Sequence, residues 1–315
     1  MNKTILIGAG PMAVQYAVVL NAMNTEYEVI GRGPQSAKTF EEKTGKAVIQ
    51  GGLKAYLQSN PSIESAIVST GVEALAENTI DLIRSGCKRI LVEKPAGMTA
   101  EDIESVNKMA NQHNCEVIVA YNRRFYQSVS TAIEMIKEDG GITSMHFEFT
   151  EVGFKIKDIP KAPGVKENWF LANSTHVVDL AFFIAGKPVE ITCLRGGTTS
   201  WHPTAAQFTG AGKTEKNCLF SYHANWDGPG RWSLDLVTPQ RRLILAPMEG
   251  LKIQKLGSFQ IEDVELPDSP DQAFKPGLYQ QTEAFLSGKH DERFCTISDT
   301  VALLPTYLNM SGYEQ

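Results

Sequence analysis

The chain has few cysteines and no arrangement of them that does chemistry. Cys87, Cys115, Cys193, Cys218 and Cys295 are widely scattered, odd in number and contain no CxxC pair. That excludes a disulfide framework and a zinc finger, and no metal site is expected. The cysteines read as small apolar residues for the interior. There is no basic run either: Lys and Arg number 30 against 36 Asp and Glu, a formal charge of −6, so no nucleic-acid partner is expected. No apolar stretch approaches the roughly 20 residues that cross a bilayer, so no membrane partner is expected. No cleavage-site pattern follows Met1-Asn2-Lys3, which gives a cytoplasmic expectation. Internal repeats and low-complexity tracts are absent. With 42% hydrophobic and 21% charged residues, the 315-residue chain has the composition of a globular protein of one large or two ordinary domains.

What is present is an alternation of short β-branched runs with amphipathic stretches over residues 1–121. Strands are expected at Thr4–Ile7, Tyr27–Ile30, Ala47–Ile49, Ser65–Ser69, Arg89–Val92 and Glu116–Ala120. Helices are expected near Met12–Ala22, Ser36–Thr44, Val72–Ser85 and Ala100–His113. Several strands are unbroken apolar runs, as in a parallel sheet covered on both faces, so the region reads as a Rossmann-type, doubly wound α/β domain. Residues 122–315 read differently, as an α+β domain with a mainly antiparallel open sheet. Helices are expected at Tyr126–Glu138, Ser174–Ala185, Pro276–Ser287 and Asp299–Asn309, and the last two can pack back on the first domain. Strands are expected at Ile142–Val152, Val189–Arg195, Asn217–Trp226, Arg231–Thr238 and Arg242–Leu245. The short turn Asp227-Gly228-Pro229-Gly230 suggests antiparallel pairing of the strands it joins.

The first expected strand runs into Gly8-Ala9-Gly10-Pro11-Met12-Ala13, a GxGxxA pattern opening a helix. Gly8 permits the tight turn, Gly10 lets backbone approach a pyrophosphate, and Ala13 is small enough for close helix–strand packing. Pro11 and Met12 begin a helix whose N-terminal amides and dipole favour phosphate. An NAD site usually carries an acid at the tip of strand two. Here the tip reads Ile30-Gly31-Arg32-Gly33-Pro34 with none, and Arg32 can pair with a 2′-phosphate, seconded by Ser36 or Lys38. The cofactor expectation is therefore NADP ahead of NAD.

Strand five ends in Glu93-Lys94-Pro95-Ala96-Gly97. This EKP segment after GxGxxA, with Ser69-Thr70-Gly71 after strand four and Tyr121-Asn122-Arg123-Arg124-Phe125 after strand six, resembles the glucose–fructose oxidoreductase / inositol dehydrogenase (Gfo/Idh/MocA) family. Ser174-Thr175-His176-Val177-Val178-Asp179 is similar to the latter half of that family's DxGxHxxD helix motif. The resemblance implies that Lys94 lies beside the nicotinamide and the reacting carbon, with Glu93 on the ribose or nicotinamide side and Pro95 fixing the turn. Oxidising an alcohol needs a proton acceptor on oxygen as hydride leaves carbon. A partly buried lysine beside a positive nicotinamide has its pKa lowered and serves as base one way, acid the other. His176 is the second candidate, for acid–base work or for binding the substrate hydroxyl, and Asp179, three residues on along the same helical face, is expected to orient the histidine or bind substrate. Asn122, Arg123, Arg124, Trp169 and Asn173 complete the expected substrate contacts, one of the two arginines having a structural role. Ser69, Thr70 and Gly71 join the cofactor set.

Two positions depart from the family pattern at its substrate end: its Asp falls on Ala172 and its Gly on Ser174. Asn173 and Asn168 are nearby polar groups, but neither can take a proton. A further departure, Gln127 where relatives carry Pro, reads as structural. Four lysines (Lys155, Lys157, Lys161 and Lys166) crowd the loop before Trp169, either as a solvated loop or as a cover for an acidic sugar. The resemblance implies an oxidoreductase acting on a hydroxyl or keto carbon of a sugar, sugar derivative or nucleotide sugar. It also implies a homodimer or homotetramer formed through the C-terminal sheet. A variant keeps the cofactor bound and passes hydride between two sugars. The rival reading is a catalytically silent, cofactor-sensing regulator or scaffold. Lys94 and His176 argue against it, and Ala172 argues for it.

Overall fold

In the computed structural model, residues 4–60 and 63–313 are described. They form two compact units, one of residues 1–121 with 273–302, the other of 122–272 with 303–315.

The first unit opens with β1 (Thr4–Ile7), α1 (Pro11–Ala22), β2 (Tyr27–Ile30), α2 (Pro34–Thr44), β3 (Val48–Ile49) and α3 (Gly52–Ser59). It continues through β4 (Ser65–Val68), α4 (Leu75–Arg84), β5 (Arg89–Glu93), α5 (Ala100–His113) and β6 (Glu116–Ala120). The strand order β6-β5-β4-β1-β2-β3, parallel throughout, is that of a doubly wound dinucleotide-binding sheet. Ile5, Leu6, Ala66, Ile67, Ile90, Leu91 and Ile118 are essentially inaccessible, which is why these strands lack polar alternation. Chain starts and stops are local: Pro11 and Pro34 sit in first helical turns, Thr99 and Asp102 form a capping box on α5, and Gly45 ends α2 in the left-handed conformation. The helix α3 is absent from the sequence expectation, because Gly51-Gly52 before it reads as a turn.

The second unit comprises α6 (Gln127–Glu138), β7 (Ser144–Glu148), α7 (Gly153–Ile156), α8 (Thr175–Ala185), β8 (Pro188–Gly196), β9 (Gln207–Thr214) and β10 (Leu219–Asn225). Then follow β11 (Ser233–Val237), β12 (Arg241–Leu245), β13 (Lys252–Lys255) and β14 (Glu262–Asp263). The sheet order is β14-β13-β12-β11-β7-β10-β9-β8. It is antiparallel except at β7–β10, which are parallel. This corrects one expectation. The turn Asp227–Gly230 does not close a hairpin, because β10 and β11 lie on opposite sides of β7. Three strands, β9, β13 and β14, were not anticipated; β9 carries Gly210, Gly212 and Lys213, a poor strand composition rescued by pairing on both edges.

One face of this sheet is aromatic and dry. Phe147 lies 5.5 Å from Tyr222, and Phe182 of α8 meets Phe220 edge-on at 5.2 Å. Along β10, Phe220, Tyr222 and Ala224 are buried whereas Leu219, Ser221 and His223 are exposed, the alternation of a sheet covered on one side. The covering helix, α8, is buried at every position but Phe183. Its one ionised side chain, Asp179, is matched by Arg124 in a bidentate pair: Nε donates to Oδ2 at 2.8 Å and Nη2 to Oδ1 at 2.6 Å. The two side chains are 7% and 1% exposed, and the Arg124 guanidinium also lies 4.5 Å from the Phe183 ring. Arg124 and Asp179 thereby brace α8 to the 3₁₀ turn Asn122–Phe125. The guanidinium fork fits a carboxylate, and α8 carries its acid where water is excluded.

The last segment contains α9 (Leu278–Leu286), β15 (Cys295–Thr296) and α10 (Ile297–Ser311). In it, α9 packs on α1, and β15 pairs antiparallel with β6 as the edge of the first sheet. Residues 273–302 thus belong to the first unit, while α10 begins in the first and ends in the second.

Breaking a buried ion pair strands the surviving charge. Asp179→Asn should lower the unfolding free energy by about 3–5 kcal/mol in urea denaturation. Arg124→Met with Asp179→Leu should recover much of that loss. A loss below about 1 kcal/mol for the single change would mean the pair behaves as a solvated one.

Candidate active site

The first unit brings its predicted residues to one edge of the sheet, at the C-terminal ends of the strands. The strand order reverses between β1 and β4, where two loops part and leave a crevice. Gly8 stands at that point with φ +116°, its amide donating to Ile30 O at 2.8 Å. A Cβ on Gly8 would lie 2.7 Å from the carbonyl oxygen of Ser69, so no side chain fits. Ser69 is fixed in turn: its amide and Oγ both donate to Ile7 O, at 2.8 and 3.1 Å. At Gly10, by contrast, a Cβ would meet nothing within 4 Å, and the space over the α1 N-terminus is open. Thr70 Oγ1 is buried with no hydrogen-bond partner among the described residues. A tight glycine turn, an open helix N-terminus and a waiting hydroxyl fit a dinucleotide with its pyrophosphate over α1. Gly71 leads into a short 3₁₀ turn, Val72–Ala74. Arg32 is exposed at the tip of β2, where its Cγ would lie 3.0 Å from a Cβ on Gly52, so its stem runs along the start of α3.

The turn after β5 is held from several sides. The Ala96 amide donates to Glu93 O at 3.0 Å, Lys94–Pro95 is a cis peptide, and Ala96 adopts φ +77°, unusual for a residue with a side chain. Asp102 of α5 accepts from the amides of Met98 and Thr99, fixing the chain beyond. The Glu93 carboxylate accepts the Tyr16 hydroxyl at 2.9 Å. Although Glu93 keeps some accessible surface, loss of water is the largest influence on its carboxyl and raises its pKa above the ordinary value. Lys94, the Tyr16 hydroxyl and Lys275 oppose the rise. Tyr16, wholly buried against this carboxylate, has its phenol pushed well above the ordinary range by burial first and by Glu93 second. Lys275 Nζ also lies 3.0 Å from Met12 Sδ. Neither Tyr16 nor Lys275 was singled out in the sequence. Tyr16 looks like any core aromatic of α1, and Lys275 is 263 residues from Met12 in sequence.

The second unit has its own cleft, of about 210 Å³, lined by Arg123, Glu151, Asn173, Arg231, Trp232 and Met248 among others. The Arg123 guanidinium lies 4.5 Å from the Trp232 ring. His176, 8% exposed, stands behind with its ring 6.0 Å from Trp232. Asn122 is buried at the head of the 3₁₀ turn, and its side chain hydrogen-bonds Tyr126. Asn173 donates to both oxygens of Glu151 at 3.0 Å, and Ser174 Oγ donates to Oε1 at 2.7 Å. These two residues end a π-helical turn, Phe170–Ser174, that leads into α8. Trp169 does not line this cleft: it is 7% exposed and packs edge-on against Trp201 at 5.9 Å, with Lys161 over its ring. An indole is well served by such an aromatic cluster. Glu151, Arg231 and Trp232 are the residues missed. The sequence signal was slight: an acid just past an aromatic strand, and Arg-Trp after a glycine-proline turn.

A parallel sheet with a crevice at its switch point, a glycine turn and an adjoining Glu-Lys-Pro turn define a dinucleotide-binding α/β protein with a second, sheet-based unit. Residues 3–121 match the model of an oxidoreductase family with an NAD-binding Rossmann fold, Gfo/Idh/MocA. The chain is 24% identical over 160 residues to trans-1,2-dihydrobenzene-1,2-diol dehydrogenase of Mus musculus, covering 50% of this chain and 47% of that protein. It is 25% identical over 146 residues to the NADP-dependent scyllo-inositol 2-dehydrogenase of Bacillus subtilis, covering 43% of this chain and 38% of that one. The matched region thus spans about half or less of these relatives' length. Levoglucosan dehydrogenase, solved with NADH and L-sorbose, shares the fold with a TM-score of 0.79 at 16% identity, covering 98% of this chain and 96% of that one.

A carboxyl whose pKa is raised by folding contributes stability fully below its unfolded value and loses it as pH rises through the folded value. Glu93 should therefore make the wild type less stable as pH climbs above the ordinary carboxylate range. Glu93→Gln should remove that slope and melt higher than wild type at neutral pH, the difference vanishing in acid. Parallel melting curves across pH would show instead that Glu93 folds as a well-solvated carboxylate.

Proposed function

We propose that the chain is a nicotinamide-dependent dehydrogenase or reductase acting on a hydroxyl or keto carbon of a sugar, sugar derivative or nucleotide-linked sugar, with NADP preferred. The observation that carries this reading is the Glu93-Lys94-Pro95 turn, set at the end of β5 two strands from the glycine turn and anchored by Tyr16 and Asp102. The nicotinamide, when bound, supplies or accepts the hydride. Lys94 takes the hydroxyl proton in the oxidising direction and returns it in the reducing one. His176 is the second acid–base group, and Arg123 and Asn173 hold substrate in the cleft of the second unit. Gly8, Gly10, Pro11, Met12, Ser69, Thr70, Gly71 and Glu93 hold the cofactor, and Arg124 with Asp179 fixes the helix that carries His176. The names of the two relatives, a diol dehydrogenase and an inositol dehydrogenase, support a substrate with neighbouring hydroxyls. Val189, Leu194 and Leu219, each more than 60% exposed on or beside the outer strands of the second sheet, support its use as a face between copies of the chain.

Lys94→Ala should cut kcat by about 10²–10⁴-fold on whichever polyol or sugar the wild type turns over, while NADPH still binds. A wild type that binds NADPH yet turns over no polyol or sugar, with Lys94→Ala indistinguishable from it, would identify a cofactor sensor rather than an enzyme.

Exposed Arg32 at the tip of β2, with Ser36 on the first turn of α2, supports the preference for a 2′-phosphate. Arg32→Ala should weaken NADPH by about tenfold or more in a fluorescence titration and leave NADH unchanged. Equal losses for the two would place Arg32 away from the 2′ position.

A further inference from the structure

Of this chain's two departures at its substrate end, Ala172 for an acid and Ser174 for a glycine, the second touches a buried carboxylate. Ala172 is buried and offers a methyl group where the family pattern has a carboxylate. Two residues on, the added hydroxyl of Ser174 donates at 2.7 Å to Glu151, and Asn173 donates to both oxygens of the same carboxylate. Glu151 is only 5% exposed, lies just beyond β7, and is part of the wall of the cleft that Arg123 and Trp232 also line. A buried carboxylate is costly unless its oxygens are satisfied, so this one is held on purpose by the residues that distinguish the chain. The missing acid and the added hydroxyl read as one change.

We propose that Glu151 is the substrate-binding carboxylate of this cleft and stands in for the acid that position 172 lacks. The inference rests on the reading of the cleft as the substrate site. An ionised carboxylate only accepts hydrogen bonds, so Glu151 selects a hydroxyl of the substrate as its partner. Asn173 and Ser174 grip the carboxylate from the helix side and fix the direction in which it presents its oxygens to the cleft. A glycine at 174 removes one of those donors, which is why the acid and the hydroxyl go together. Asn173 thereby also positions Glu151, besides lining the cleft itself.

The test is binding rather than turnover: isothermal titration of scyllo-inositol and of levoglucosan into the full chain saturated with NADPH, a reduced pair that does not react. Glu151→Gln should weaken polyol binding by about tenfold or more while leaving the NADPH titration unchanged. Glu151→Asp, which keeps the charge, should lose less affinity than Glu151→Gln. Unchanged polyol binding in Glu151→Gln overturns the proposal. So does an equal loss in Glu151→Asp and Glu151→Gln, which would make Glu151 a strut of the 173–174 turn. Where Glu151→Gln does not fold, Ser174→Gly carries the test: weaker polyol binding is expected, and unchanged binding overturns the proposal. A wild type that binds NADPH and neither polyol refutes the broader reading of the cleft, an outcome visible before any variant is made.

Discussion

Where β1 ends, its chain turns between β2 and β4 with no room for a side chain, because the Ser69 carbonyl lies where a Cβ on Gly8 would be. The rest of the cofactor edge follows from that close approach. Ser69 is held by two hydrogen bonds to Ile7, so the loops after β1 and β4 are locked to each other across the switch point. The helix α1 starts at a fixed height above the sheet, and its open N-terminus faces the crevice. Tyr16 then lies deep enough on α1 to reach Glu93 at the end of β5. A wider turn at Gly8 would shift α1 and the phenol together, and the Glu93-Lys94 turn would lose its anchor.

Among the described residues, the carboxylates of Asp179, Glu93 and Glu151 are shielded to different degrees, and their partners differ in kind. Asp179 has a guanidinium with matched geometry, which compensates charge with charge and makes the pair a brace. Glu93 has a neutral phenol and an adjacent lysine, which do not offset its burial, and its carboxyl is pushed upward. Glu151 has an amide and a hydroxyl among its partners, and these two orient its oxygens at the wall of the cleft. The sequence marks Asp179 and not Glu151.

The cofactor edge was legible because its parts are local. Gly8, Gly10, Pro11 and Ser69 each sit at a strand end or a helix start, positions readable from the apolar runs beside them. The second sheet was legible in kind but not in order, since β7 inserts between β10 and β11 and no turn residue announces it. Arg124, Asp179 and Trp169 were recognisable as special residues, yet their use was not. An arginine meets a substrate carboxylate or an Asp179 with the same fork, and only the packing around α8 decides. Glu151 and Trp232 were hidden for the opposite reason: the cleft draws on segments near 123, 151, 173, 231 and 248, and no one segment resembles a site.

That contrast explains why the two halves of such a protein tolerate change differently. A backbone approach such as Gly8 to Ser69 has no substitute elsewhere in the chain, since the constraint is the absence of an atom at one place. A carboxylate in a side-chain cleft is defined by where its oxygens lie, and neighbouring segments can each deliver it there. Relocation then needs two coordinated steps, a new acid on one wall and a donor on the other to hold it. Glu151 with Ser174 has that form, and the π-helical turn that ends at Ser174 supplies the backbone on which the donors are set.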